Sequence, residues 1–262
     1  VYKRQLLDQS INNAIILRHM LTPIIGKAGQ FKAHLIGLET KVHKNMLIAY
    51  SSKCLMENHG VSELYNIKYV IIPPAIDTEL FKPMDRYRNK NKENYDCIIL
   101  YMGPLTRDRF PIEIIKALDI VKKEANLKIK MKIVTLPRRR PAEYQYMKVI
   151  IELSRRLGIS SMIDIETRTL TFHEKIHLFS TADIVMQIFK GIPSSITPLD
   201  PPLTVLEAMA CGTPVIASNY MSIPQIIVDG YNGYIVRSVN KEAIAETILR
   251  ALYNNKIRMM AR

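Results

Sequence analysis

From residue 96 onward, short apolar runs alternate with segments whose apolar positions recur every three to four residues. The runs at 97–102, 128–134, 162–166, 184–189, 214–217 and 233–236 have the length and composition of strands buried on both faces. The segments at 111–125, 142–157, 173–181, 203–210 and 241–253 carry helical periodicity. Strand and helix in regular alternation predict an α/β domain: a Rossmann-like, doubly wound parallel sheet with helices on both faces. Such sheets bind ligands beyond the carboxyl ends of their strands. The loops after Met102, Val134 and Phe189 are therefore expected to gather at one edge.

The chain before residue 82 reads differently. Residues 11–45 show helical periodicity and no strand signal, with Ile11, Ala14, Ile15 and Leu17 in one segment that Pro23 ends. Phe31, His34, Leu35 and Leu38 make a second. Residues 46–50 read as a strand, and Ser51 is placed to cap the helix that follows. A further strand at 68–72 is stopped by Pro73 and Pro74. Residues 82–95 are charged and aperiodic, as a linker would be. The expected organisation is one domain in residues 1–81, a linker at 82–95, and the doubly wound domain in 96–262.

At 262 residues with 48% apolar composition, the chain can bury one large core or two modest ones. Lys and Arg number 37 against 24 Asp and Glu, a net charge of +13. Such an excess favours anionic partners: nucleotides, anionic membrane surfaces or nucleic acid. A lysine-rich proteome explains it equally well. A nucleic-acid function rests on that charge alone, without aromatic platforms beside the basic clusters, so no nucleic-acid partner is expected. No window is apolar enough for a membrane span, and no signal-peptide pattern opens the chain. The 3 cysteines, Cys54, Cys97 and Cys211, have neither disulfide nor metal spacing, and a reducing cytoplasmic compartment is expected. The 6 histidines form no metal pattern; His173 and His177 share a helix face without a third ligand.

The most specific stretch is Leu203-Thr-Val-Leu-Glu-Ala-Met-Ala-Cys-Gly-Thr-Pro-Val-Ile-Ala217. It reads as a helix, a stop at Gly212 and a buried strand. Asp200-Pro201-Pro202 precedes it: a capping residue, then prolines whose missing N–H costs little in a first turn. The N–H groups of Leu203 and Thr204 lack helical acceptors and can take a phosphate. Glu207, one turn further in, can accept hydrogen bonds from a sugar hydroxyl. The block is suited to a nucleotide diphosphate held by phosphate and ribose. Gly103-Pro-Leu-Thr-Arg-Asp-Arg109 follows a strand and precedes a helix. Gly103 allows close backbone approach, and Arg107 and Arg109 offer cations to a diphosphate. The Arg138-Arg139-Arg140 run is either a solvated face or an anion contact, and the loop from Lys190 to Pro198 either shapes a pocket or is a surface insertion.

The Leu203–Ala217 block closely resembles the nucleotide-sugar site of family 4 glycosyltransferases, the glycosyl transferases of group 1, which have the GT-B fold. Ile99-Leu-Tyr-Met-Gly103, Ala182-Asp-Ile-Val185, Val70-Ile-Ile-Pro73, Ile76-Asp-Thr-Glu-Leu-Phe-Lys-Pro83, Ile223-Pro-Gln-Ile-Ile227 and Asn232-Gly-Tyr-Ile-Val236 extend the likeness in the family's order. The resemblance implies that residues 1–81 are the tail of an acceptor-side α/β domain that begins before Val1. It also implies a final helix after Arg262, and hence an inactive fragment. It implies retaining transfer of a sugar from a nucleotide-diphosphate-sugar to a glycan, lipid or small-molecule acceptor, without metal or other cofactor. Partners would be the nucleotide sugar and that acceptor, with peripheral contact at the cytoplasmic face of an anionic membrane.

Three family positions differ. Pro104 stands where the family usually has an arginine, and Arg109 where it has a lysine. Of two glutamates spaced by seven residues, Glu207 is the second, whose family role is ribose binding. Leu199 occupies the first, so Asp200 is either its shifted substitute or a helix cap. The implied site is catalytic Arg109 and Asp200, with Gly103, Arg109, Leu203, Thr204 and Glu207 binding the donor. A degenerate, binding-only protein of the same fold is the alternative.

Overall fold

The computed structural model describes residues 16–20, 46–59, 66–84, 95–135, 141–191 and 200–254. The chain divides into two compact units, Val1–Pro74 and Ala75–Arg262. Residues 75–84 thus belong with the second unit, and most of the expected linker lies outside the described residues.

In the first unit, strands β1 (Ile16–Met20), β2 (Met46–Tyr50) and β3 (Lys68–Ile71) form a parallel sheet in that order. β1 corrects the helical reading at residues 16–20; the rest of 11–45 lies outside the described residues. Its five residues pair in register with β2, Ile16 opposite Met46 and Met20 opposite Tyr50. Ile-Leu-Arg-His-Met is too short for its period to decide, and pairing with a distant strand overrides local propensity. Helix α1 (Lys53–His59) follows β2. Ser52, one residue beyond the expected cap, accepts the Leu55 N–H at 2.9 Å.

The second unit is a six-stranded, wholly parallel sheet: β4 (Cys97–Met102), β5 (Ile129–Thr135), β6 (Ile163–Thr167), β7 (Ile184–Gln187), β8 (Val215–Ser218) and β9 (Gly233–Val236). Their spatial order is β6-β5-β4-β7-β8-β9. The chain winds outward from β4 to one side, then returns to build the other half from β7. The switch point therefore falls between β4 and β7, the place beyond whose carboxyl ends sheets of this kind bind ligands.

Alternation along the central strands feeds two cores. Ile99, Tyr101, Met131 and Ile133 pack with Ile114 and Leu118 of α2 (Glu113–Glu124), Ile150 of α3 (Pro141–Arg156), and Ile244 and Ile248 of α7 (Lys241–Tyr253). Leu100, Val134, Val185 and Val215 pack with Ile176 and Phe179 of α4 (Phe172–Thr181) and Val205 and Ala208 of α5 (Leu203–Ala210). Each fully buried aliphatic side chain contributes about 1.5–3 kcal/mol. The helices on either side make the sheet doubly wound, as the alternation predicts. A one-turn helix, α6 (Ile223–Ile226), lies between β8 and β9.

Helix ends follow local chemistry. Thr171 and Glu174 form a reciprocal capping box on α4, and Asn240 Oδ1 accepts the Ala243 N–H at 2.8 Å on α7. α5 ends in a Schellman motif. Gly212, at φ +68°, donates its N–H to Met209 O at 2.9 Å, and Thr213 donates to Ala208 O at 3.0 Å. Asp183 joins the two halves, accepting the Ile98 N–H on Oδ2 at 2.9 Å.

Candidate donor-nucleotide site

The β4–α2 loop opens with Gly103 at φ +155°, its N–H on Val134 O at 3.0 Å. A Cβ there would meet Tyr101 Oη at 3.1 Å. That hydroxyl donates to Pro104 O at 2.6 Å, and burial pushes the phenol pKa far up, so it remains a donor. The loop then coils on Thr106, whose carbonyl accepts the N–H groups of Arg109 (3.1 Å) and Phe110 (2.8 Å). The Thr106 hydroxyl engages the Asp108 carboxylate.

This coil projects Arg109 towards the loop that follows β7. Its guanidinium carbon sits 5.6 Å from the centroid of the Phe189 ring. Arg109 Nε is buried without a hydrogen-bond partner. Arg107 instead leans over Tyr146 of α3, at 5.9 Å. The two loops are tied together by Lys190. Its N–H reaches Asp108 O at 2.8 Å, and its Nζ reaches Glu113 at 2.7 Å. Burial works to raise the Glu113 carboxyl, and the bond and charge of Lys190 more than reverse it, leaving the pKa below its ordinary value.

Helix α5 begins at the same edge. Pro202 takes the cap position with no side-chain cap bond, and no acidic residue lies in the first turn. The Val205 and Leu206 N–H groups bond back to Pro202 O. Those of Leu203 and Thr204 belong to the first turn, where no helical carbonyl is in reach. Asp200 is not the cap. It is fully buried, and its Oδ1 accepts both the N–H (3.1 Å) and the hydroxyl (2.6 Å) of Ser222. A carboxylate drawn into that pair cannot also cover the helix end.

Glu207 is 7% exposed and lies one turn into α5. Its Oε1 pairs with Lys175 Nζ of α4 at 2.5 Å, and its Oε2 is buried without a partner. The Lys175 ammonium also lies 5.7 Å from the Phe81 ring and 5.9 Å from the Phe179 ring. Sequence reasoning missed Lys175, because a lone lysine on an amphipathic helix carries no mark of a partner 32 residues away. It also missed Thr135 as a site residue. This buried hydroxyl ends β5 and has no hydrogen-bond partner.

Arg109 Nε, Thr135 Oγ1 and Glu207 Oε2 are thus buried polar atoms left open, on the segments that follow or end β4, β5 and β7. Leaving such an atom unpaired costs about 1–3 kcal/mol, and a ligand is one kind of partner that removes the cost. Cys211 is buried beside Ser180, with which it shares a hydrogen bond; burial pushes its thiol up to about 11. Residues 136–140 and 192–199, with the arginine run, Leu199 and most of the long loop, lie outside the described residues. A separate cavity of about 650 Å³ runs along the sheet face beside α4, lined in part by Lys130, Lys132, Arg168 and His173. Lys132 and Arg168 are met there by Glu166 and Glu174. Among the described residues no cluster of His, Cys, Asp or Glu could hold a metal ion, and no helix is long and apolar enough to cross a membrane.

Residues 83–262 match the family model of glycosyl transferases group 1. The chain belongs to that family. This group 1 chain is 23% identical over 186 residues to the D-inositol 3-phosphate glycosyltransferase of Frankia alni, covering 70% of this chain and 44% of that protein. It is 25% identical over 199 residues to the lipopolysaccharide 1,2-N-acetylglucosaminetransferase of Salmonella typhimurium, covering 73% and 49%. It therefore spans less than half the length of both curated relatives. Among solved structures, HepE of Anabaena, in complex with UDP and glucose, superposes with a TM-score of 0.76 at 16% identity, covering 94% of this chain and 64% of that one. Sucrose-phosphate synthase of Thermosynechococcus elongatus gives 0.73 at 18% identity, covering 99% and 63%. At these identities the likeness speaks for the fold, which is that of GT-B glycosyltransferases.

Proposed function

We propose that this chain carries the donor-binding part of a glycosyltransferase that moves a sugar from a nucleotide-diphosphate-sugar to an acceptor hydroxyl with retained anomeric configuration. The observation that carries the reading is the set of buried, unpartnered polar atoms of Arg109, Thr135 and Glu207, borne by the β4–α2 loop, the end of β5 and helix α5 after β7. In this reading the Leu203 and Thr204 N–H groups and the Arg109 guanidinium receive the diphosphate, Gly103 lets the chain approach it, and Glu207 Oε2 accepts a ribose hydroxyl. When the anomeric carbon–oxygen bond breaks, negative charge grows on the phosphate oxygen. Preorganised donors at that point each lower the barrier by about 3–4 kcal/mol. Arg109 and the α5 terminus take the neutralising role without a resident metal. HepE, solved with UDP and glucose, supports a uridine nucleotide as the first donor to try. The acceptor is a glycan, lipid or small molecule, and the net charge of +13 supports contact with an anionic membrane surface.

Calorimetry of the 262-residue chain with UDP, GDP and ADP tests the donor site. One of them is expected to bind, and Arg109→Ala is expected to weaken it by about 1–3 kcal/mol, the loss of a charged hydrogen bond. Failure of all three nucleotides to bind removes the reading. The commitment of Asp200 to Ser222 favours a second reading, a domain that binds the nucleotide without transferring the sugar. Sugar transfer with retained configuration, unaffected by EDTA, excludes it.

A further inference from the structure

We propose that Phe189 is a positioning residue of the donor site: its ring holds the Arg109 guanidinium where a carboxylate ordinarily would, leaving the charge and the buried Nε–H to the diphosphate. The inference rests on the donor-site reading above. A fixed arginine is usually held by a carboxylate in a bidentate pair, which occupies its donors and cancels its charge. At a phosphate site that carboxylate would also repel the ligand. Two acidic residues lie near Arg109 in sequence, Asp108 in the loop and Glu113 at the start of α2, and both are engaged elsewhere. Asp108 engages the Thr106 hydroxyl, and Glu113 engages Lys190. Among the described residues no carboxylate pairs with Arg109, and its guanidinium carbon lies 5.6 Å from the Phe189 centroid. That is within the range of cation–π attraction.

The platform is itself immobilised. Phe189 is 2% exposed. Its N–H donates to Ser218 Oγ at 2.8 Å, and its ring packs on Tyr220 at 4.8 Å between centroids. The next residue, Lys190, bonds through its N–H to Asp108 O at 2.8 Å, one residue from Arg109. Ring and guanidinium are thus held by a clamp between the loops after β4 and β7, on either side of the switch point. An aromatic face attracts the cation without consuming its N–H donors. Pro104, which carries no charge, leaves Arg109 as the loop cation so placed.

The test is calorimetry of the 262-residue chain with UDP, GDP and ADP, continued with whichever binds tightest and with its nucleoside, on the wild type, Phe189→Leu, Phe189→Tyr, Arg109→Ala and the Arg109→Ala/Phe189→Leu double variant. Phe189→Leu is expected to weaken the nucleoside diphosphate by about 3- to 30-fold, the range of a desolvated cation–π contact. Nucleoside affinity stays unchanged, Phe189→Tyr restores diphosphate affinity, and the double variant binds no more weakly than Arg109→Ala. Phe189→Met, of similar volume, replaces Phe189→Leu if the latter does not fold. Equal affinity of wild type and Phe189→Leu overturns the proposal, as does an equal loss for the nucleoside or full additivity in the double variant. If Arg109→Ala weakens binding while Phe189→Leu does not, the donor site stands and the platform falls. If the wild type binds none of the three nucleotides, both fall.

Discussion

Lys175→Met tests the part of the site that the sequence concealed. Methionine keeps the length and apolar stem of the side chain, and with them much of its packing near Phe81 and Phe179. It removes the ammonium that meets Glu207 Oε1 at 2.5 Å. The Glu207 side chain is 9% exposed and its other oxygen already lacks a partner, so the variant leaves a buried carboxylate with no charge partner. Breaking a fully buried pair costs about 3–5 kcal/mol; the Lys175 side chain is 25% exposed, so water softens the loss to about 2–3 kcal/mol. In a domain of this size that is a fall in Tm of about 4–12 °C. Urea unfolding followed by circular dichroism at pH 7 reads the loss directly. The Glu207→Gln/Lys175→Met double variant is expected to recover about 1–2 kcal/mol of the summed single losses, since an amide costs far less to bury than a charge. A Lys175→Met protein within 0.5 kcal/mol of wild type, or strict additivity in the cycle, would show that Glu207 is not held by Lys175 in solution.

Gly233→Ala is expected to destabilise the second unit by about 2 kcal/mol or more, because the new Cβ would lie 2.7 Å from Val215 O and 3.0 Å from Ile227 Cγ2. Since Gly233 opens β9 opposite Val215 of β8, an unchanged urea midpoint would mean that the two strands separate freely. The Glu174 carboxyl is held down at about 2 by the backbone N–H and hydroxyl of Thr171 and by Arg168, from an ordinary value of 4.5. A depressed carboxyl stabilises fully above its unfolded value, so this contribution is complete above pH 4.5 and fades as pH falls towards 2. NMR titration is expected to find the depressed midpoint, and Thr171→Ala to raise it while costing about 1 kcal/mol at neutral pH; a midpoint near 4.5 in the wild type refutes the capping box. A nucleoside diphosphate at 100 times its Kd is expected to add about 2.7 kcal/mol of stability, read as a rise in Tm, and Arg109→Ala to reduce that rise at the same concentration.

The second unit was legible because its signals are local. The helix at 203–210 lies between prolines and a left-handed glycine, and the strand at 233–236 is bounded by turn residues, so both ends of each are written in their own neighbourhood. β1 was not legible. Ile16 to Met20 become a strand by pairing with Met46 to Tyr50, and nothing within five residues announces it. The site divides in the same way. Arg109 and Glu207 stand out as charges in otherwise apolar or glycine-led segments. Lys175, Phe189 and the Asp200–Ser222 pair acquire their roles only from contacts with residues remote in sequence. Asp200 beside two prolines had every local mark of a helix cap, and a serine 22 positions later drew its carboxylate away.

The Lys175–Glu207 pair also resolves a conflict inherent in the proposed site. A helix terminus that receives a diphosphate is a poor place for a carboxylate. One turn is about 5.4 Å, and at an effective dielectric of about 20 two unit charges at that distance repel by about 3 kcal/mol. Glu207 nonetheless sits one turn into α5, where a ribose acceptor is needed. Paired with Lys175 it presents no net charge to the phosphates, and Oε2 remains open as an acceptor. Arg109 is managed in the opposite way: among the described residues it meets a ring and no carboxylate, so none of them cancels its charge. The two site cations are therefore not equivalent. In the proposed site, one neutralises an anion of the protein, and the other is left to the anion of the ligand. Exchanging those roles, with a carboxylate beside Arg109 or an apolar side chain in place of Lys175, would oppose the diphosphate in either case.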